Sequence, residues 1–118
     1  MRFLSMIRID EKTAKAPTER LMADMGKLME EMTQAGVLIE TAGLRPTSEG
    51  VRVRLRGGKL STIDGPFTET KEVIGGYAIL EAKSKAEALR VATEFMELHR
   101  KHWPGFEGES EVRPIEPV

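Results

Sequence analysis

The sequence contains no cysteine. That excludes a disulfide framework and any chemistry that needs a thiolate. It also lacks an excess of either charge: 18 lysines and arginines stand against 19 acids, for a net charge of −1. Such a chain has no general attraction to nucleic acid or to an anionic membrane. No run approaches the roughly 20 apolar residues of a membrane-spanning helix. Near the N-terminus Arg8 and Asp10 interrupt the apolar stretch too early for a signal-peptide core, so a cytoplasmic location is expected. There is no glycine-rich phosphate loop, and no nucleophile has a base at motif spacing. Neither an internal repeat nor a low-complexity tract is present. What is left is 118 residues, 40% hydrophobic, which suits one soluble domain spanning 1–118 with a core of its own.

The periodicity divides that domain into strands and helices. Residues 2–9 form a first strand with apolar side chains on both faces, Leu4 and Met6 on one and Phe3, Ile7 and Ile9 on the other. A strand of that kind is covered on both sides. Pro17 suits the first turn of a helix that runs to about Ala35 and stops at Gly36. Its stripe of Leu21, Met25, Leu28 and Met32, widened by Met22 and Met29, is more economically a core stripe than an adaptable ligand surface. A short strand follows over 37–41. Residues 51–56 alternate Val-Arg-Val-Arg-Leu-Arg, the pattern of a half-buried strand, and Gly57-Gly58 turns it back into a hairpin. The arginines Arg52, Arg54 and Arg56 share one face, more economically a solvated or ion-paired face than an anion reader. Another strand covers 76–82. Ser84-Lys85-Ala86-Glu87 is a capping box that opens a second helix, 85–102, with Ala88, Leu89, Ala92, Phe95, Met96 and Trp103 on its apolar face. His99 falls within that stripe and His102 on its flank. A last short strand, 111–115, contains Pro114 and belongs at an edge or a strand end. The order βαβ, hairpin, βαβ implies an α+β ferredoxin-like plait with an inserted β-hairpin. Both helices cover one sheet face, and a second copy of the chain is expected on the other.

The least ordinary stretch is Asp64-Gly65-Pro66-Phe67-Thr68-Glu69-Thr70-Lys71-Glu72, leading into Gly75-Gly76-Tyr77. Asp-Gly-Pro is a turn signal, and the stretch is longer than a hairpin connection needs. Loops carried on a rigid sheet are where ligand contacts concentrate. Asp64 is expected to shape the loop by accepting N–H bonds from Phe67 and later residues. A pairing of Asp64 with His99 is chemically suited to acid–base work, since a carboxylate can orient an imidazole that titrates near neutrality. The plainer alternative is that Asp64 caps its own turn and His99 is a satisfied core histidine. The residues expected to meet a ligand are Phe67, Glu69, Lys71, Glu72, Tyr77, His102 and Trp103. His99-x-x-His102 alone is too weak a pattern for a metal site, so no metal and no cofactor are expected.

The run from Asp64 to Phe67, with Glu69, Lys71-Glu72 and Gly75-Gly76-Tyr77, resembles the DGPF-domain branch of the YCII-related family. So do the segment Glu97-Leu98-His99-Arg100-Lys101-His102-Trp103-Pro104-Gly105, the ending Glu111-Val112-Arg113-Pro114, Gly36 and the strand from Val51 to Leu55. The resemblance covers nearly the whole chain. It implies a dimeric α+β barrel in which two plaits face their sheets together. Shorter relatives resemble small enzymes with a His–Asp pair whose histidine lies near the start of the first helix. Here that helix carries no histidine, so the pair does not carry over to it. Some relatives are associated with transcription initiation, but no DNA-reading motif or basic patch occurs here.

Two functions follow from these residues. In one, the chain is a homodimeric small-ligand protein or small enzyme, with a cleft between the central loop and the C-terminal end of the second helix. In the other, it is a non-catalytic homodimeric or protein-interaction module with a regulatory role. Its partners are then a second copy of itself and a small molecule, with no nucleic acid and no membrane.

Overall fold

Four strands build one antiparallel sheet, and their sequence positions interleave. A computed structural model of the chain describes residues 1–117; Val118, the last residue of the expected domain, lies outside them. Strand β1 is Arg2–Ile9, β2 Leu38–Gly43, β3 Val51–Arg56, β4 Lys59–Asp64, β5 Val73–Glu81 and β6 Glu109–Pro114. Helix α1 is Glu19–Gln34 and α2 is Lys85–His102. The main sheet runs β2-β5-β1-β6, while β3 and β4 pair only with each other. This is the ferredoxin-like α+β arrangement with a hairpin inserted between β2 and β5. The expected elements are all present. Strand β5 starts three residues earlier than its apolar run suggests, because Val73 and Ile74 also pair with β1. Pro114 ends β6, an edge strand, opposite Phe3.

Strand alternation decides which side chains are buried. Phe3 lies opposite Leu80, and Ser5 opposite Ala78. These point to the helices, where Phe3, Leu38, Leu80, Ala82, Ala88 and Val91 form the core with Met29, Met32 and Val112 packed against it. Enclosing a side chain such as Phe3 stabilises the fold by about 1.5–3 kcal/mol. Both helices contribute to this one layer, α1 through its methionines and α2 through Ala88 and Val91. Leu4, Met6, Tyr77 and Ile79 alternate onto the face away from the helix layer, where each is half-buried.

Helix α1 begins two residues later than Pro17 suggests. Thr18, in extended geometry, is the cap, and its hydroxyl accepts from the Leu21 N–H at 3.2 Å. The same hydroxyl donates to the carbonyl of His102 at 2.6 Å, joining the start of α1 to the end of α2. Gly36 takes φ 75° after α1, a conformation that favours glycine. Ser84 caps α2 by accepting from the Glu87 N–H. On α2 the inward residues are Ala88, Val91, Ala92 and His99, whereas Leu89 is exposed. The buried stripe is therefore rotated toward Val91 relative to the sequence expectation, at the i, i+3, i+4 spacing of a helix face.

The hairpin departs furthest from expectation. Val51, Val53, Leu55 and Leu60, on one face by register, are between 58% and 72% exposed. The arginine face is the more buried one. The alternation was correct as a strand signal, but none of the described residues covers its apolar side. The hairpin stands out as an arm, consistent with a radius of gyration of 16.0 Å, where a compact chain of this length would have about 13–14 Å.

Thr18→Val keeps the shape of the side chain and removes both bonds of the hydroxyl. Urea unfolding is expected to show a loss of about 1–2 kcal/mol, with Thr18→Ser close to wild type.

Candidate functional site

The two helices do not close over the whole sheet. Beyond the core, between the far part of the sheet and the helix pair, lies a cavity of about 390 Å³. Its floor is Ser5, Ile7, Gly75, Gly76 and Ala78. One wall is the methionine row of α1, Met22, Met25, Met29 and Met32. The other wall is Phe95, His99, Trp103 and Phe106, from the end of α2 and the turn after it. The methionine stripe is thus divided in function: Leu21 and Leu28 are buried, while the four methionines border open space. The floor is shaped by a bulge. Ile7 pairs with Gly76 and Arg8 with Ile74, leaving Gly75 as the extra residue of β5. No aspartate, glutamate, lysine or arginine lines the cavity.

His99 is the most buried titratable side chain of the site, 5% exposed. Its Nδ1 lies 3.0 Å from the carbonyl oxygen of Phe95 one turn earlier. Its ring sits among Phe95, Trp103 and Phe106 at centroid distances of 4.7, 6.0 and 5.0 Å. Trp103 and Phe106 stack at 4.6 Å. His102 faces elsewhere, with Nε2 2.8 Å from Asp24 Oδ2 of α1. Burial by itself would raise the Asp24 carboxyl, but hydrogen bonds and charge from Arg20 and His102 outweigh it and hold it below the usual carboxylate range. The two histidines therefore occupy different surroundings. Among the described residues, no three acids or histidines gather as a metal cluster would.

The central loop is assembled separately. Arg52 of β3 lies over the Phe67 ring at 3.8 Å and bonds Glu69 at 2.5 Å and Thr70 at 3.2 Å. A guanidinium can hold a ring face and a carboxylate at once because its faces and edges are both usable. The Glu69 carboxyl is held below its usual range, first by a backbone N–H and then, against the effect of burial, by Arg52 and Arg54. Lys12 reaches the carbonyl of Thr68. Thr47 ties the loop inward: its hydroxyl donates to Glu11 and accepts from the Phe67 N–H at 3.4 Å. Phe67 thus donates to Thr47 and not to Asp64, contrary to the expected turn. The loop is shaped from outside, by Arg52, Thr47 and the approach of Gly65 to the 47–50 turn. There the Gly65 N–H donates to the Gly50 carbonyl at 2.9 Å, and a Cβ on Gly65 would fall 1.6 Å from the Thr47 oxygen.

The expected site residues consequently separate into groups. His99, Trp103 and the backbone around Tyr77 border the cavity. The Tyr77 hydroxyl donates to Glu40 at 2.7 Å, and that bond, with burial and the nearby charge, raises its pKa. Phe67 and Glu69 are engaged by Arg52. Asp64, Lys71 and Glu72 lie outside the cavity lining, and no hydrogen bond joins Asp64 to His99 among the described residues. A smaller pocket of about 320 Å³ does touch the loop, at Pro66 and Val73, across from Glu11 and Arg45. The residues that sequence reasoning missed are Ser5, Met25, Met29, Phe95 and Phe106. The methionine spacing and the place of Phe95 on the α2 stripe were the signals that pointed to any of them.

Gly65→Ala is expected to cost about 1–3 kcal/mol in urea unfolding, because the Thr47 backbone must move. Asp64→Ala should stay within about 0.5 kcal/mol of wild type. The reverse order would show that Asp64 organises the loop after all.

Comparison with known proteins bears on this architecture. The model of the YCII-related domain matches residues 1–98, ending one residue before His99. A relative in Rhizobium meliloti (strain 1021), itself described as uncharacterized, is 32% identical over 102 residues, covering 86% of this chain and 78% of its own length. Strands β1 to β5, helix α1 and the central loop thus fall within the matched residues 1–98, while the end of α2 and β6 lie beyond them, and the protein belongs to the YCII-related family.

Proposed function

We propose that the chain is a homodimeric protein that holds a small, neutral, largely apolar molecule between its helix pair and its sheet, as a ligand-binding protein or small enzyme. The observation that carries this reading is the cavity of about 390 Å³ with no charged residue in its lining. Small-molecule sites generally have volumes of roughly 300–1,000 Å³, apolar walls and a few polar groups that set orientation. The methionines add side chains that can adapt to an irregular guest. The cleft differs from the one expected from sequence in its near boundary. The end of α2 forms one wall, but Gly75 and Gly76 stand where the charged loop was expected.

The homodimer is supported by two apolar surfaces. One is the sheet face away from the helices, where Leu4, Met6 and Ile79 are half-buried. The other is the arm with Val51, Val53, Leu55 and Leu60. An isolated two-stranded hairpin is marginal in water, and large exposed apolar patches mark interaction sites. The arm is also the observation that favours the second reading, a non-catalytic interaction module.

N-phenyl-1-naphthylamine, a neutral dye that brightens in apolar surroundings, is expected to bind the purified protein and to be displaced from Ala78→Phe, which fills the floor. Absence of any bound dye, with the fold intact, would leave the interaction module as the better reading. Sedimentation is expected to give twice the 13.2 kDa chain mass. Met6→Asp should yield folded monomer and Val53→Asp a weaker dimer. A wild-type monomer at micromolar concentration would overturn the assembly.

A further inference from the structure

The polar content of the cavity is small enough to define what it would recognise. A backbone carbonyl can only accept, so the bond between His99 and the Phe95 carbonyl places the hydrogen on Nδ1. In the neutral ring Nε2 then carries the lone pair. Nε2 has no hydrogen-bond partner among the described residues. Yet no fully occluded side-chain nitrogen or oxygen among them lacks a partner. A ring that is 95% buried therefore keeps its free nitrogen reachable from open space. The aromatic neighbours fix the ring plane, and the helix fixes Nδ1, so the lone pair cannot turn away by a tautomer change without losing the Phe95 bond.

Of the remaining polar side chains of the lining, the Trp103 indole can only donate, and the Tyr77 hydroxyl is engaged by Glu40. Thr41 donates its hydroxyl hydrogen to the Tyr77 carbonyl at 2.9 Å. Ser5 is paired with Ser110 at 3.1 Å. No cation is present to meet a carboxylate or phosphate, and no anion to meet an amine. Burying a charge without a partner is heavily penalised, whereas one hydroxyl can be accommodated by one acceptor.

Resting on the reading of this cavity as a ligand site, we infer that His99 Nε2 is its specificity-determining acceptor. The ligand class is a neutral molecule with an apolar body, aromatic or aliphatic, and one hydroxyl that donates to Nε2. The aromatic wall of Phe95, Trp103 and Phe106 and the sulfurs of Met25 and Met29 favour a flat ring as the body.

The test compares three probes of one shape: 2-naphthol, 2-methylnaphthalene and 2-naphthoate. Wild-type protein is expected to bind 2-naphthol about five- to tenfold more tightly than 2-methylnaphthalene, and 2-naphthoate least. His99→Phe keeps an aromatic ring in the cluster and should bind the first two equally. A measurement on the wild type alone avoids reliance on that variant. The nitrogen-15 signal of His99 Nε2 should move with 2-naphthol and not with 2-methylnaphthalene, while both probes shift the methyl signals of Met25 and Met29. If the two uncharged probes bind wild type equally and displace the methionine signals, the cavity stands as a ligand site and the role of His99 is overturned. If Nε2 moves without any change at the methionines, the probe sits in a second, more polar pocket beside β6 that His99 also borders, and both the inference and the cavity reading are overturned. Preference for 2-naphthoate overturns the neutral class. Failure of all three to bind overturns the inference together with the cavity reading.

Discussion

The molecule depends on how far small side chains let α2 approach the sheet. At one end Ala82 and Ala88 are nearly or fully buried in the core with Phe3 and Leu80. Alanines bring helix and sheet backbones close, and Phe3 fills the space that is left. Toward the other end β1 passes from the fully enclosed Phe3 to half-buried Ile7 and Ile9. There α2 presents Phe95, His99 and Trp103 over a glycine-bearing floor, and α1 presents methionines. Interiors tolerate few voids larger than a water molecule. A cavity of about 390 Å³ in so small a domain is therefore a property of the packing and not a lapse in it.

The same end is where the helices are tied together by polar contacts. Thr18 links the start of α1 to the His102 carbonyl, and Asp24 meets His102 itself. These contacts lie at the rim of the cavity, whose near wall Pro17 and Trp103 complete. Apolar burial fixes the closed end, whereas directional bonds hold the open one. Hydrogen bonds set separation and orientation without needing the gap to be filled.

The arm and the central loop form a second unit joined through Arg52. One guanidinium covers Phe67, binds Glu69 and reaches Thr70. This draws the polar face of the hairpin toward the loop and turns Val51, Val53 and Leu55 outward. Sequence alternation predicts two unlike faces but contains no sign for which one the rest of the chain will cover. In most strands the apolar face wins, since its burial is favourable. Here the loop supplies a carboxylate and an aromatic ring suited to arginine, and among the described residues no apolar layer covers the other face. For that reason the expected half-buried strand is present with its burial inverted.

The element order, the helix limits near Gly36 and Ser84, the Gly57-Gly58 turn and the edge position of Pro114 were all legible in the sequence. Each rests on a local cause: apolar period, capping oxygen, glycine dihedral or missing N–H. His99 was legible as a residue on the inner stripe of α2, because helix geometry alone places it there. Its neighbours were not. Phe95 was the exception, four residues earlier on the same stripe, whereas Phe106, Met25, Met29 and Ser5 meet His99 only when α1, α2, β1 and the turn after α2 are stacked, and no spacing along the chain encodes that meeting. Asp64 shows the opposite failure. Its turn-forming neighbours made it look like the organiser of its loop, but the Phe67 N–H had a competing acceptor in Thr47, distant in sequence and near in space. The sequence by itself thus determined the plait, since period and caps are short-range. Tertiary structure alone decided where the packing stays open and which polar groups face that space, because both depend on contacts between segments far apart in the chain.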